Sequence, residues 1–173
     1  MTTAIATKTR AQEGKYLTFA LANEDYGIEI LKVREIIGYM SITAVPRMPD
    51  FVKGVINLRG QVIPVIDLRS RFAMECKEIT DQSCIIVVDI SHESRSINVG
   101  LIVDRVQEVL DIEQENIDDA PQFGTDVDTD FILGIGKVGS AIKILLDINR
   151  VLEGMGTLRS EEHTSELQSP NTI

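Results

Sequence analysis

Two stretches of this 173-residue chain carry residue types that could bind phosphate or a metal ion. Gly134-Ile135-Gly136-Lys137-Val138-Gly139 satisfies the GxGxxG spacing of a dinucleotide-binding turn. That chemistry needs a helix opening at the glycines, so that its N-terminal amides face the pyrophosphate. The following Ala141-Ile142-Lys143-Ile144-Leu145-Leu146 reads instead as a strand, and nucleotide binding is not expected. Asp126-Val127-Asp128-Thr129-Asp130 opens like a calcium loop. Its sixth position is Phe131, where glycine is needed, and its twelfth is Lys137, where a bidentate glutamate is needed. An acidic, solvated loop is the expected alternative. His92 stands in a polar turn without a partner identifiable from sequence, and no G-x-S-x-G, H-E-x-x-H or Cys-His arrangement occurs. Cys76 and Cys84 are too few for a disulfide framework and form no paired zinc-ligand motif. Scattered carboxylates of this kind usually serve solubility. The chain is therefore not expected to be an enzyme or to hold a metal or cofactor.

One tetrapeptide remains. Asn57-Leu58-Arg59-Gly60 joins two short β-branched runs, residues 53–58 and 61–66, and reads as a hairpin turn with Gly60 at positive φ. An arginine at the tip of a rigid hairpin can also grip a partner's carboxylate or carbonyls through its planar fork. Val33 and Ile36, beside Glu35, offer a second candidate surface. Apolar residues at that spacing more often belong to a core unless a partner covers them.

The elements that would position these residues occur twice. Residues 51–68 align without a gap on residues 131–148, with Phe51, Gly54 and Asp67 meeting Phe131, Gly134 and Asp147. Asn57-Leu58-Arg59-Gly60 has become Lys137-Val138-Gly139-Ser140, so a function specific to the first copy would sit there. Upstream, residues 27–37 align on residues 100–110, with Gly27, Val33 and Glu35 recurring as Gly100, Val106 and Glu108. The spacing then lengthens within residues 113–130, which look like a longer loop. Leu17, Phe19 and Leu21 alternate with Thr18, Ala20 and Ala22, as in a strand buried on one face. Cys84-Ile85-Ile86-Val87-Val88 is continuously apolar, as in a strand buried on both. Asn23-Glu24-Asp25 and residues 91–96 read as the turns that follow. Pro64 inside a strand pattern predicts an edge or a bulge. Asp67 and Asp147 each precede a short helical signal and can cap it. Short strands ending in one helical turn fit two small β-barrels, each too small to hold much core of its own.

Composition narrows the setting. A 43% hydrophobic, 25% charged chain is ordinary for a globular protein. No apolar run approaches the roughly 18 residues of a membrane span. The N-terminus lacks the apolar core of a secretory signal, so a cytoplasmic location is expected. A formal net charge of −10 argues against nucleic acid as a partner. Residues 159–169 resemble the translation of a sequencing-library adaptor. An ordinary acidic tail is the alternative, and the segment is set aside from fold reasoning in either case.

With residues 26–36, residues 53–60 and Val65-Ile66-Asp67-Leu68-Arg69 laid out, the chain resembles the CheW-like domains of bacterial chemotaxis, over about residues 15–152. The resemblance implies a mainly β fold: two intertwined, five-stranded, SH3-like barrels with short helical turns, packed on a shared hydrophobic junction. The barrels are expected at roughly residues 15–80 and 81–152, with 1–14 a flexible N-terminus and 157–173 a non-native or disordered tail. It also implies an adaptor that bridges the cytoplasmic tips of methyl-accepting chemoreceptors to the regulatory domain of a CheA-type histidine kinase. Such a protein would be recruited to receptor arrays at the inner face of the membrane, without inserting into it. Carried over by position, Glu35, Ile36, Asn57, Arg59 and Gly60 would engage receptor or kinase; Val33, Gly54, Ile85 and Gly100 are weaker carry-overs, several of which would act by preserving local structure. Two alternatives remain: a CheW-like piece of a larger CheA- or CheV-type protein, and, more remotely, a small β-barrel enzyme.

Overall fold

Alternating and continuously apolar runs become eleven strands among the described residues. The computed structural model describes residues 12–75, 78–92, 95–120 and 131–152, the side chains of 91 and 92 excepted. In chain order the strands are β1 (Gly14–Leu21), β2 (Glu24–Glu29), β3 (Val33–Gly38), β4 (Val52–Leu58), β5 (Gln61–Asp67) and β6 (Cys84–His92), then β7 (Arg95–Val103), β8 (Arg105–Ile112), β9 (Ile117–Asp118), β10 (Ile132–Val138) and β11 (Ala141–Leu146). The helical pieces among these residues are α1 (Leu68–Arg71), α2 (Ile148–Val151) and two 3-10 turns, Ile30–Lys32 and Gln114–Asn116. Cys76, residues 126–130, the His92 side chain and the tail from 157 lie outside the described residues.

Two SH3-like barrels result. Barrel one has the strand order β3-β6-β7-β5-β4, and barrel two has β8-β1-β2-β11-β10-β9. Both close alike. After β3 the chain comes round to β4, where Thr43 and Val55 exchange two backbone hydrogen bonds of 2.9 Å. After β8 it comes round to β10, where Asp118 pairs with Ile135, the repeat equivalent of Val55. Residues 113–130 are thus not one long loop, because β9 lies within them.

Sequence copies and barrels divide the chain differently. The hairpin β1–β2 belongs to the first copy yet sits in barrel two, and β6–β7 belongs to the second copy yet sits in barrel one. A boundary at residues 80 and 81 therefore separates the copies but not the barrels. Each exchanged hairpin is seated by a parallel ladder, β2 on β11 and β7 on β5. Parallel neighbours cannot be joined by a tight turn, so a strand from elsewhere in the chain must supply the partner.

Three apolar clusters follow from this plan. Ile56, Ile63, Val65, Ile85, Val87 and Ile102 fill barrel one. Tyr16, Ile112, Ile117 and Leu145 fill barrel two. A larger cluster, including Phe19, Ile28, Ile66, Leu101, Leu146 and Ile148, forms the junction from both copies. Arg69, at the start of α1, adds a polar tie across it. Its Nε and Nη2 donate to the Asp104 carboxylate at 2.8 and 2.6 Å. Asp104 Oδ2 also accepts the N–H of Ala22 at 2.9 Å.

Two strand expectations need correction. β1 is buried on both faces: Leu17, Phe19 and Leu21 face the junction, while Tyr16 fills barrel two. Thr18 is 0% exposed because its hydroxyl donates to the Glu108 carbonyl at 2.7 Å, which makes a polar residue acceptable inside. β5 is an inner strand, not an edge. Pro64 fits because the ladder to β7 begins only at Val65, and because Val55, opposite Pro64, turns its N–H and carbonyl to Thr43. The expected caps form: Asp67 Oδ1 accepts from the Arg69 N–H at 3.0 Å, and Asp147 Oδ1 from the Arg150 N–H at 3.3 Å.

Among the described residues, barrel two pairs a buried lysine with a half-buried aspartate. Lys143, whose equivalent in barrel one is the apolar Ile63, donates to Asp25 Oδ2 at 2.8 Å, and Gln107 donates to Asp25 Oδ1 at 3.1 Å. The hydrogen bond from Lys143 holds the Asp25 carboxyl below the usual carboxylate range. A depressed native value gives stability that is present above the unfolded value and lost as pH falls through the native one. Asp25→Asn should therefore destabilise by about 2 kcal/mol at neutral pH, and the gap to wild type should close below about pH 4. Urea midpoints between pH 7 and 3 would check this; a gap independent of pH would contradict it.

Candidate functional site

The β4–β5 turn has only two residues between paired Leu58 and Gln61, and both take positive φ: 53° at Arg59 and 86° at Gly60. This type I′ geometry matches the twist of the flanking strands. It is costly for a residue with a side chain, so a glycine would be the ordinary choice at Arg59. The second copy has that choice, with Gly139 at φ 62° in the equivalent place. Asn57 closes the turn by accepting the Gly60 N–H on Oδ1 at 2.8 Å. An arginine kept at a position that favours glycine points to a use for its side chain.

That side chain reaches across the closed barrel to β3, where its Nη2 pairs with Glu35. The turn thus meets Glu35 of the second candidate surface, but not Val33. The Arg59 side chain is 70% exposed and that of Glu35 31%, so the pair contributes at most about 1 kcal/mol to stability and most of the fork faces solvent. Ile36, next to Glu35, is 43% exposed. Asn57, Arg59 and Gly60 of the turn thus meet Glu35 on barrel one, while Ile36 is exposed on the other face of β3.

The other expected site residues are placed differently. Val33 is half-buried against the junction. Ile85 is fully buried in barrel one. A Cβ on Gly100 would stand 2.8 Å from Ile85 Cγ2. Gly54, at φ 145°, leaves room for the barrel-closing strand, since a Cβ there would meet the Thr43 carbonyl oxygen at 2.0 Å. These last three shape barrel one from within. No side chain of theirs is offered to a partner.

Val62 was missed. It is 66% exposed on β5, opposite Asn57. A signal existed, because its equivalent Ile142 is likewise apolar and exposed, as is Val109, the equivalent of Ile36. Barrel two therefore repeats these exposed apolar residues and, in Glu108, the glutamate, but has Gly139 where Arg59 stands. The GxGxxG stretch lies in β10 and its turn, with no helix at the glycines. A shallow cavity of about 200 Å³ lies among Asn23, Glu78, Asp81, Asp104 and Arg105. Burial raises the Tyr16 and Tyr26 phenols, but these groups lie elsewhere. Among the described residues no group of three His, Cys, Asp or Glu side chains is placed to hold a metal ion.

Comparison with known proteins agrees in sequence and in fold. The CheW-like domain family model matches residues 15–155. The chemotaxis protein CheW of Klebsiella aerogenes is 41% identical over 148 residues, covering 86% of this chain and 86% of that protein. That of Bacillus subtilis is 37% identical over 140 residues, covering 80% and 86%. The crystal structure of the scaffolding protein TtCheW from Thermoanaerobacter tengcongensis superposes with a TM-score of 0.73 at 38% identity, covering 82% of this chain and 94% of that one.

Gly54→Ala should lower stability by at least about 3 kcal/mol, through the clash with Thr43 and the positive φ. A urea midpoint unchanged from wild type would show that the closure of barrel one does not depend on this glycine.

Proposed function

The chain belongs to the CheW-like domain family, and from that premise we propose that it is a chemotaxis adaptor bridging a CheA-type histidine kinase to the cytoplasmic tips of methyl-accepting chemoreceptors. The observation that carries this reading is the Arg59–Glu35 pair on an exposed patch of an otherwise closed barrel. Arg59 is held in a left-handed backbone position, and its guanidinium has donors to spare for a partner's carboxylate or carbonyls. Val62, opposite Asn57, supplies exposed apolar area next to the turn. A receptor helix would lay its apolar side against the protein near the barrel junction, with Arg59 fixing its register. A separate barrel face would pair with the regulatory domain of the kinase.

Such bridging is non-covalent. Receptor shifts bias the kinase because the adaptor favours one arrangement of the two, not because it performs a reaction. The relatives, named as CheW proteins, are matched over most of their length, which favours this reading over a CheA- or CheV-type origin. No helix of the described residues is long and apolar enough to cross a membrane. Recruitment to receptor arrays would then come through the partners.

Arg59→Ala tests the site. It should weaken binding to a receptor-tip fragment or to the kinase regulatory domain by about 2 kcal/mol, roughly 30-fold. Folding stability should change by less than about 1 kcal/mol. Calorimetric titration against each partner, beside a urea melt, provides both readings; unchanged affinity for both partners would remove Arg59 from the site.

A further inference from the structure

Arg71 stands where the two copies of the repeat meet. Its guanidinium carbon lies 4.8 Å from the ring centroid of Phe51 and 4.6 Å from that of Phe131. Those phenylalanines are equivalent residues of the two copies. Arg71 Nε also donates to the Val151 carbonyl at 2.7 Å, and Val151 is Arg71's own equivalent. Each phenylalanine is in turn fixed to its hairpin. The Phe51 carbonyl accepts the Asp67 N–H, and the Phe131 carbonyl the Asp147 N–H, both at 2.8 Å. One cation thereby joins the base of the β4–β5 hairpin, whose tip carries Arg59, to the base of β10–β11 in barrel two. Phe72 packs on Phe131 with centroids 5.6 Å apart and leads through Tyr26 to Phe19 of β1.

Apart from the Arg69–Asp104 tie the rest of the junction is largely aliphatic, and apolar burial by itself is non-directional. A guanidinium held between two rings, with a directed hydrogen bond along its edge, specifies an angle as well as a contact. We propose that Arg71 is a positioning residue for signal coupling, fixing the orientation of barrel one relative to barrel two. A shift imposed at the Arg59 hairpin is then delivered to barrel two and not absorbed in the junction. The orienting role stands on the free protein alone; its consequence for signalling rests on the adaptor reading above.

The test places spin labels on Lys53→Cys and Ser140→Cys, one per barrel, in a background with Cys76→Ser and Cys84→Ser. Arg71→Met should roughly double the width of the inter-barrel distance distribution, whereas Arg71→Lys, which keeps a cation between the rings, should broaden it less. Should Arg71→Met fail to fold, Phe51→Leu removes one ring face with the charge retained and should broaden it too. An unchanged width in the folded variants overturns the proposal. With kinase and receptor fragments, Arg71→Met should keep each pairwise affinity within about twofold while receptor-stimulated phosphorylation falls about fivefold. A parallel loss of affinity and stimulation overturns the positioning role. If the wild-type chain itself gives no stimulation, the adaptor reading fails, and the distance measurement still decides the part played by Arg71.

Discussion

β2 lies parallel to β11 and β7 parallel to β5, and in each ladder a glycine of the incoming hairpin is paired with a bulky aliphatic residue. Gly27 pairs with Leu145, and a Cβ on it would stand 3.1 Å from Leu145 Cδ2. Gly100 pairs with Val65, and a Cβ there would stand 2.8 Å from Ile85 Cγ2 and 3.4 Å from Val65 Cγ2. A side chain on Gly27 would press on the receiving strand, whereas on Gly100 it would meet Ile85 of its own hairpin first. The rest of the architecture follows from that seating, because each barrel is completed by strands of the other copy. The junction core is formed by the same exchange, from Ile28 and Leu101 on the incoming hairpins and Ile66 and Leu146 on the strands that receive them.

Exchange also explains how units of this size hold together. A barrel of some 70 residues buries too little apolar surface to be secure alone. Here neither barrel can open without breaking contacts made by both copies. Polar ties cross the same boundary: Arg69 of the first copy with Asp104 of the second, and Asp25 of the first with Lys143 of the second. They occur once each, so the two barrels share a plan without being interchangeable. The same asymmetry marks the outer surface, where barrel one has Arg59 and Glu35 and barrel two has Gly139 and Glu108 in their places. Under the adaptor reading, a diverged repeat would offer two related but distinct faces to two partners.

Much of this was legible in the residues. The repeated Phe, Gly and Asp positions mark matching turns and caps, and Asn57-Leu58-Arg59-Gly60 marks the hairpin that differs. The hairpin exchange was not legible as a division of the chain, because an alignment of copies says which segments are alike and nothing about which of them pair. Thr18 misled because alternation of polar and apolar residues reads as one buried face, whereas a hydroxyl bonded to the Glu108 carbonyl is at home inside a barrel. Gly100 and Ile85 enter only through the family resemblance, as weaker site residues of which several preserve local structure, and their contact with each other is internal. Val62 was passed over because a β-branched residue beside a turn looks like core; only its counterpart Ile142, apolar and exposed in the same way, distinguishes the outer face.

Under the adaptor reading, this closed pair of barrels passes a receptor's state to a kinase while performing no chemistry itself. Phosphorylation by a CheA-type kinase, followed with receptor-tip fragments in the presence and absence of the purified chain, tests it most directly. The account predicts that the chain and receptor together raise the rate well above kinase with either one alone, and that the chain by itself turns over no nucleotide. Equal rates with and without the chain, under conditions where all three components bind, would contradict it.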